Sequence, residues 1–301
     1  MIWLILIFVV ILACMFPAVR CILRHPIKTV VNGCVDIFFY IVRKAYNKFS
    51  TGKIVGYIGL FGKGKTLTAT HDIVSAYMQF NGKKVWDAAN KRMAVQRIRI
   101  LSNVELTTVP YEKLEDLKQI VKIAKEVKKL DKMYGTYTVV LVLIDEASVQ
   151  LNSRKFKQNI DALFLNTLLT CRHFHMDLYY TAQRFGQVDA LLRQVTSYVV
   201  YCEKNWRLQG IEYYNAWELE NATDVLLVKP FKRDCWFVEN KDYENYDTFA
   251  TVEDLQKDCE NGDMLSEEKI LALQCNLDKA NTDGIVNPSK KLKKASKKIR
   301  K

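Results

Sequence analysis

Residues 59–66 read Gly-Leu-Phe-Gly-Lys-Gly-Lys-Thr, a complete G-x-x-x-x-G-K-[ST] phosphate-loop pattern with an additional glycine at Gly62. Few folds can accommodate such a run. Its glycines let backbone N–H groups turn inward around an anion, and a following helix adds a favourable dipole at its amino terminus. The loop must therefore join a buried strand to the start of a helix. The flanks supply both, because Lys53–Ile58 reads as a buried strand and Thr66–Phe80 can form a helix. The nucleotide-binding set is then Gly59, Gly62, Lys63, Gly64, Lys65, Thr66 and Leu67. Lys65 would reach the β- and γ-phosphates of ATP, and the Thr66 hydroxyl would ligate magnesium.

Thr138–Ile144 is a continuous apolar, β-branched run that ends in Asp145-Glu146. A central parallel strand covered on both faces has this composition. A carboxylate at its carboxyl end lies beside the phosphate loop, where Asp145 can hold Mg2+ and Glu146 can polarise an attacking water. Together the two elements predict an α/β P-loop NTPase with a mostly parallel sheet flanked by helices, and an activity that binds and hydrolyses a nucleoside triphosphate.

The remaining chemistry is sparse. The eight cysteines contain no C-x-x-C pair and no zinc spacing, so neither a disulfide nor a metal is placed on them. The net charge of +12 is uneven. Residues 287–301 carry eight Lys or Arg and no acid, whereas 239–268 carry eleven acids against two lysines. The high pI thus belongs to a tail. As a helix, that tail would have one thin apolar edge, Leu292, Ala295 and Ile299, and a cationic face suited to anionic lipid or a DNA backbone. A disordered solubilising tail has the same composition.

Ile2–Val19 is eighteen residues without a charge, followed by Arg20, Arg24, His25 and Lys28. A helix of that length crosses about 27 Å. The basic flank predicts a single-pass anchor in the host inner membrane, with its amino terminus outside and the nucleotide domain cytoplasmic. A cleaved leader, or a lipoprotein signal at Ile11–Cys14, would want basic residues ahead of the apolar run, and none precedes Arg20. Val30–Val42 is interrupted by Asn32, Gly33 and Asp36 and reads as an interfacial or oligomer-contact helix. The organisation expected is an anchor and juxtamembrane helix over 1–50, the nucleotide domain over 51–240, and an acidic linker with a basic tail over 241–301.

Within the domain, Lys83–Trp86 and Arg97–Leu106 read as strands. Pro110 is expected to open a long helix with the apolar stripe Leu114, Leu117, Val121, Ala124 and Val127. A helix near Asn159–Cys171 and strands at Met176–Thr181 and Ser197–Glu203 follow. Asn205–Trp217 and Val225–Val238 suggest hairpins. Gln183 falls just past a strand that should neighbour the Asp145 strand, where its amide can contact the γ-phosphate or the attacking water.

The order of these parts carries a resemblance. A phosphate loop precedes Ser102-Asn103-Val104-Glu105-Leu106, then Asp145-Glu146-Ala147, Arg172-His173, Thr181-Ala182-Gln183 and Asp189-Ala190-Leu191-Leu192-Arg193. The chain resembles the zonula occludens toxin (Zot) family of filamentous-phage assembly proteins, within the FtsK/HerA class of DNA-pumping ATPases, over residues 52–230. The resemblance implies a ring of identical subunits that uses ATP and Mg2+ to extrude and coat single-stranded phage DNA at the host membrane, with coat or assembly proteins as partners. It implies that Lys65 and Thr66 bind phosphate and magnesium, that Asp145 and Glu146 complete the hydrolytic centre, and that Gln183 is the sensor. It also implies an arginine inserted into the neighbouring site, for which Arg172 comes first and Arg193 and Arg154 follow. The chain departs from the family's usual order in carrying its apolar stretch first. A packaging ATPase that fills a preformed capsid, and a nucleotide-switched scaffold that hydrolyses nothing, are the alternatives.

Overall fold

The computed structural model describes residues 3, 8, 16–115, 117–147, 169–223 and 227–247. The chain divides into a unit Met1–Tyr246 and a unit Asp247–Lys301, and the elements below lie in the first. The strands are β1 (Ile54–Ile58), β2 (Lys84–Asp87), β3 (Arg92–Ser102), β4 (Glu105–Leu106), β5 (Glu112–Lys113), β6 (Thr136–Ile144), β7 (Met176–Ala182), β8 (Tyr198–Asn205), β9 (Leu208–Asn215) and β10 (Lys232–Phe237). The helices are α1 (Pro17–Arg24), α2 (Pro26–Val42), α3 (Lys65–Phe80), α4 (Leu117–Tyr134), α5 (Ala190–Val195), α6 (Ala216–Asn221) and α7 (Asn240–Glu244).

Nine strands form one sheet in the order β10-β9-β8-β1-β7-β6-β3-β2, with β5 on β3. Its centre, β8-β1-β7-β6-β3, is parallel, and antiparallel hairpins close both edges. This is the mixed α/β architecture expected from the apolar runs. Side chains alternate across the pleat. Val55, Tyr57, Val139, Leu141 and Leu143 pack with Ala69, Ile73 and Ala76 of α3. Ile54, Val140, Val142, Ile144 and Leu178 pack with Ile120, Ile123 and Val127 of α4 on the other face. Burial on both faces explains why β6 is apolar at nearly every position instead of at every second one. On α3, His71 stacks on Trp236 with ring centroids 4.0 Å apart, and its Nδ1 lies 2.9 Å from Asp242 Oδ1. That contact ties α7 to the helix that follows the phosphate loop.

Three expectations are corrected. Among the described residues no helix is long and apolar enough to cross a membrane, against the single-pass anchor and inner-membrane placement expected from Ile2–Val19. Phe16 is extended and Pro17 starts a helix of eight residues that ends at Arg24, so the helix expected over 2–19 is broken at Phe16; apart from residues 3 and 8, the stretch before it lies outside the described residues. The seventeen-residue α2 falls short of the roughly 20 apolar residues a span needs, and it carries Lys28, Asn32 and Asp36. Second, the strand expected at Arg97–Leu106 starts earlier and breaks after Ser102, whose buried hydroxyl accepts from the Val104 N–H at 2.9 Å and donates to the Val104 carbonyl at 2.7 Å. Third, Pro110 does not open the long helix; β5 intervenes, and α4 runs from Leu117. The helix expected near Asn159–Cys171 lies outside the described residues up to residue 168, and Cys171 itself begins a short 3-10 turn, Cys171–Phe174. The basic tail also lies outside the described residues.

Candidate active site

The phosphate loop leaves the carboxyl end of β1 and enters α3 at Lys65. Two of its glycines are dictated by their surroundings. A Cβ on Gly59 would come 2.7 Å from the Cys202 carbonyl oxygen of β8. Gly64 caps α3 in the left-handed region, at φ 78°, and a Cβ there would come 2.2 Å from Gln209 Oε1 of β9. Gly62 and Phe61 are exposed on the rim. Lys63 is half-buried, its Nζ 3.7 Å from Glu203. Lys65 Nζ donates to the Leu60 carbonyl at 3.0 Å, so the ammonium spans its own loop. A phosphate entering the loop would exchange that bond for a charge-assisted one. Leu67 is buried in the core beneath the loop, which leaves its side chain away from the loop's mouth.

Strand order sets the rest of the centre. β7 lies between β1 and β6, with Ile58 level with Ala182 and Ile144 level with Tyr180. The ends of all three strands therefore meet beside the amino terminus of α3. Asp145 faces Thr66 there, and the Thr66 hydroxyl lies 2.9 Å from Oδ1 and 3.2 Å from Oδ2. Thr181 of β7, fully buried, donates its hydroxyl to Asp145 Oδ1 and accepts from the Glu146 N–H at 2.9 Å. Asn103 bonds the Asp145 backbone twice, accepting from its N–H at 2.7 Å and donating to its carbonyl at 3.0 Å. Glu146 sits at φ 50°, in the left-handed region that a non-glycine residue enters at a cost. The bond to Thr181 holds it there.

The structure thus brings Thr66, Asp145 and Glu146 into one centre with the loop. Gln183 follows β7 and lines a cavity of about 1110 Å³ together with Gly59 and Leu60. Arg172 is not brought to this place. It lies in the turn before β7, against Gly52, whose added Cβ would come 2.7 Å from that of Arg172. That is the amino edge of the sheet, about 17 Å, one five-residue strand, from the loop of its own chain. Arg193 donates from Nε to Glu220 at 2.6 Å and from Nη1 to the Gly186 and Val188 carbonyls at 3.1 and 2.7 Å. Arg154 lies outside the described residues.

Three participants escaped sequence reasoning. Thr181 and Asn103 sit inside segments that stood out, but alternation tells which face a residue occupies and not which backbone group it reaches. Gln209 is fully buried on β9, donating to the Lys63 carbonyl at 3.2 Å while its Oε1 has no hydrogen-bond partner among the described residues. Nothing in its sequence neighbourhood signals a loop some 145 residues away.

A hydroxyl and a carboxylate oxygen side by side at the amino end of α3 are hard oxygen donors of the kind Mg2+ takes, alongside nucleotide phosphates. The donor set therefore fits a magnesium ion held by Thr66 and Asp145. Among the described residues no cluster of three or more His, Cys, Asp or Glu offers another metal site.

Residues 54–241 match the family model described as Zonular occludens toxin (Zot). No curated protein sequence matches the chain. Among solved structures, the N-terminal domain of zonular occludens toxin from Neisseria meningitidis is similar over 66% of this chain and 100% of that chain, at 18% identity and a TM-score of 0.42. The genome packaging NTPase B204 from Sulfolobus turreted icosahedral virus 2, in complex with ATP-gammaS, is similar over 62% and 93%, at 14% identity and a TM-score of 0.36. EssC (ATPases 2 and 3) from Geobacillus thermodenitrificans is similar over 50% and 32%, at 15% identity and a TM-score of 0.34.

Proposed function

The chain belongs to the zonular occludens toxin family, and on that premise we propose that it is an ATP hydrolase that drives filamentous-phage assembly by moving single-stranded DNA. The observation that carries the reading is the Asp145 carboxylate 2.9 Å from the Thr66 hydroxyl, at the mouth of a complete phosphate loop. In the reaction proposed, a water oxygen bonds to the γ-phosphorus of ATP. The bond from that phosphorus to the bridging oxygen breaks, ADP leaves with the electron pair, and Glu146 takes the proton lost by the water. The loop N–H groups and Lys65 orient and neutralise the phosphates. Magnesium held by Thr66 and Asp145 would supply positive charge to the phosphate oxygens. Thr181 and Asn103 fix the two carboxylates by holding the turn that carries them.

Working as a ring of identical subunits, and acting on DNA directly or through coat or assembly proteins, belongs to the same proposal. No membrane-spanning role for this chain is included in it. Electron microscopy of phage-producing cells carrying wild-type chain or Lys65→Ala tests the physiological part. Loss of released filaments without intracellular capsids is the expected outcome. Accumulated empty capsids would replace the reading with genome packaging, and unchanged filament release would overturn it.

A further inference from the structure

A loose, highly charged phosphoryl transition state gains from a cation beyond the loop lysine and a bound magnesium ion. Of the arginines that motif order suggests, Arg172 lies at the far edge of the sheet, where it bears only on a neighbouring subunit's site, and Arg193 spends its guanidinium on Glu220 and two carbonyls. The cavity beside the loop holds a different one. Its wall includes Gly59 and Leu60 of the phosphate loop, then Gln183 and Arg184. Arg184 is exposed, and among the described residues no acid or carbonyl pairs with it. The turn that carries it is nonetheless fixed. Phe185 is buried beside Val199 and Leu219, and the Gly186 and Val188 carbonyls are the two that Arg193 Nη1 holds, while Arg193 is itself anchored on Glu220 of α6. A guanidinium without a partner among the described residues, on a pinned turn one residue past the amide of Gln183 and lining the cavity that reaches Gly59 and Leu60 at the start of the loop, is placed to meet an anion there.

We infer that Arg184 contacts the terminal phosphate of a triphosphate bound in its own chain's loop, with Arg193 as the positioning residue that holds the turn. The inference rests on the nucleotide reading proposed above. A guanidinium offers a planar fork of donors that suits phosphoryl oxygens, and it gains most as charge develops on them.

The test uses the full-length chain, with Arg184→Ala and Arg184→Lys beside the wild type. Two readouts are taken: steady-state ATP turnover, and equilibrium affinity for ATP-gammaS against ADP. Arg184→Ala is expected to lower kcat by about 100-fold or more while ADP affinity stays within about threefold. Its preference for ATP-gammaS over ADP should disappear, and lysine should restore only a minor part of the turnover. A kcat within about threefold of wild type, or an unchanged triphosphate preference, would overturn the assignment. The affinity readout separates the two claims. A wild-type chain that binds both nucleotides but does not turn over ATP would sink the hydrolytic reading, and the affinity readout would still decide the Arg184 contact.

Discussion

On β7, beside the carboxyl end of β6, one buried hydroxyl does two jobs: Thr181 donates to Asp145 and accepts from the N–H of Glu146, whose backbone sits at φ 50°. Thr181→Val keeps the shape and removes both bonds, leaving the Glu146 N–H without its partner and Asp145 Oδ1 with the Thr66 hydroxyl alone. The expected loss of stability is about 1–3 kcal/mol, read as a lower urea midpoint. Turnover should fall by about tenfold or more, because the two carboxylates no longer share one geometry, and Thr181→Ser should recover most of it. A valine variant equal to wild type in both would show that the hydroxyl does not hold the turn. This residue also shows where a sequence runs out. The types needed at Lys65, Thr66, Asp145 and Glu146 are legible because phosphate chemistry prescribes them at a fixed spacing. Thr181, Asn103 and Gln209 are ordinary polar residues whose partners are fixed by strand order, which no local pattern carries.

Elements were legible where both faces of a strand, or one face of a helix, are buried. β1, β6, β7 and β8 lie within a residue or two of where apolar runs place them, and α3 begins one residue before its expected start. The misses share a cause. Ser102 ends β3 by bonding the backbone of Val104, and β5 pairs with β3 just where Pro110 suggested a helix; both are tertiary outcomes that override local propensity. His175, at φ 52° in the connection into β7, offers a test at this scale. Its ring packs on Tyr137 at 4.4 Å between centroids, and its Nδ1 lies 3.1 Å from the Tyr137 hydroxyl. Burial holds its pKa below the ordinary imidazole value, with Lys48 adding to the effect and Asp131 and Asp87 opposing it. The unfolded chain therefore binds the proton first. Stability should be fully present above about pH 6.5 and be lost as pH falls from there towards the folded-state pKa. His175→Asn, which tolerates the left-handed backbone, should flatten that slope in urea titrations between pH 7 and pH 5. A slope as steep as wild type would place the proton uptake elsewhere.

For the whole molecule, the sheet order makes a site out of residues far apart in sequence, and the hairpin β8–β9 backs the loop through Cys202 and Gln209. The apolar amino-terminal run led to an expected span that is not found, since among the described residues no helix is long and apolar enough to cross a bilayer. The central claim is hydrolysis at this one site, and phosphate release by the purified full-length chain tests it directly. Wild type, Lys65→Ala and Glu146→Gln would be compared with magnesium and after its removal by chelation. The account predicts magnesium-dependent release by wild type, none above background from Lys65→Ala, and a fall of at least about 100-fold in Glu146→Gln with ATP still bound. Release by Glu146→Gln at the wild-type rate, or none by wild type while it binds ATP, would contradict it.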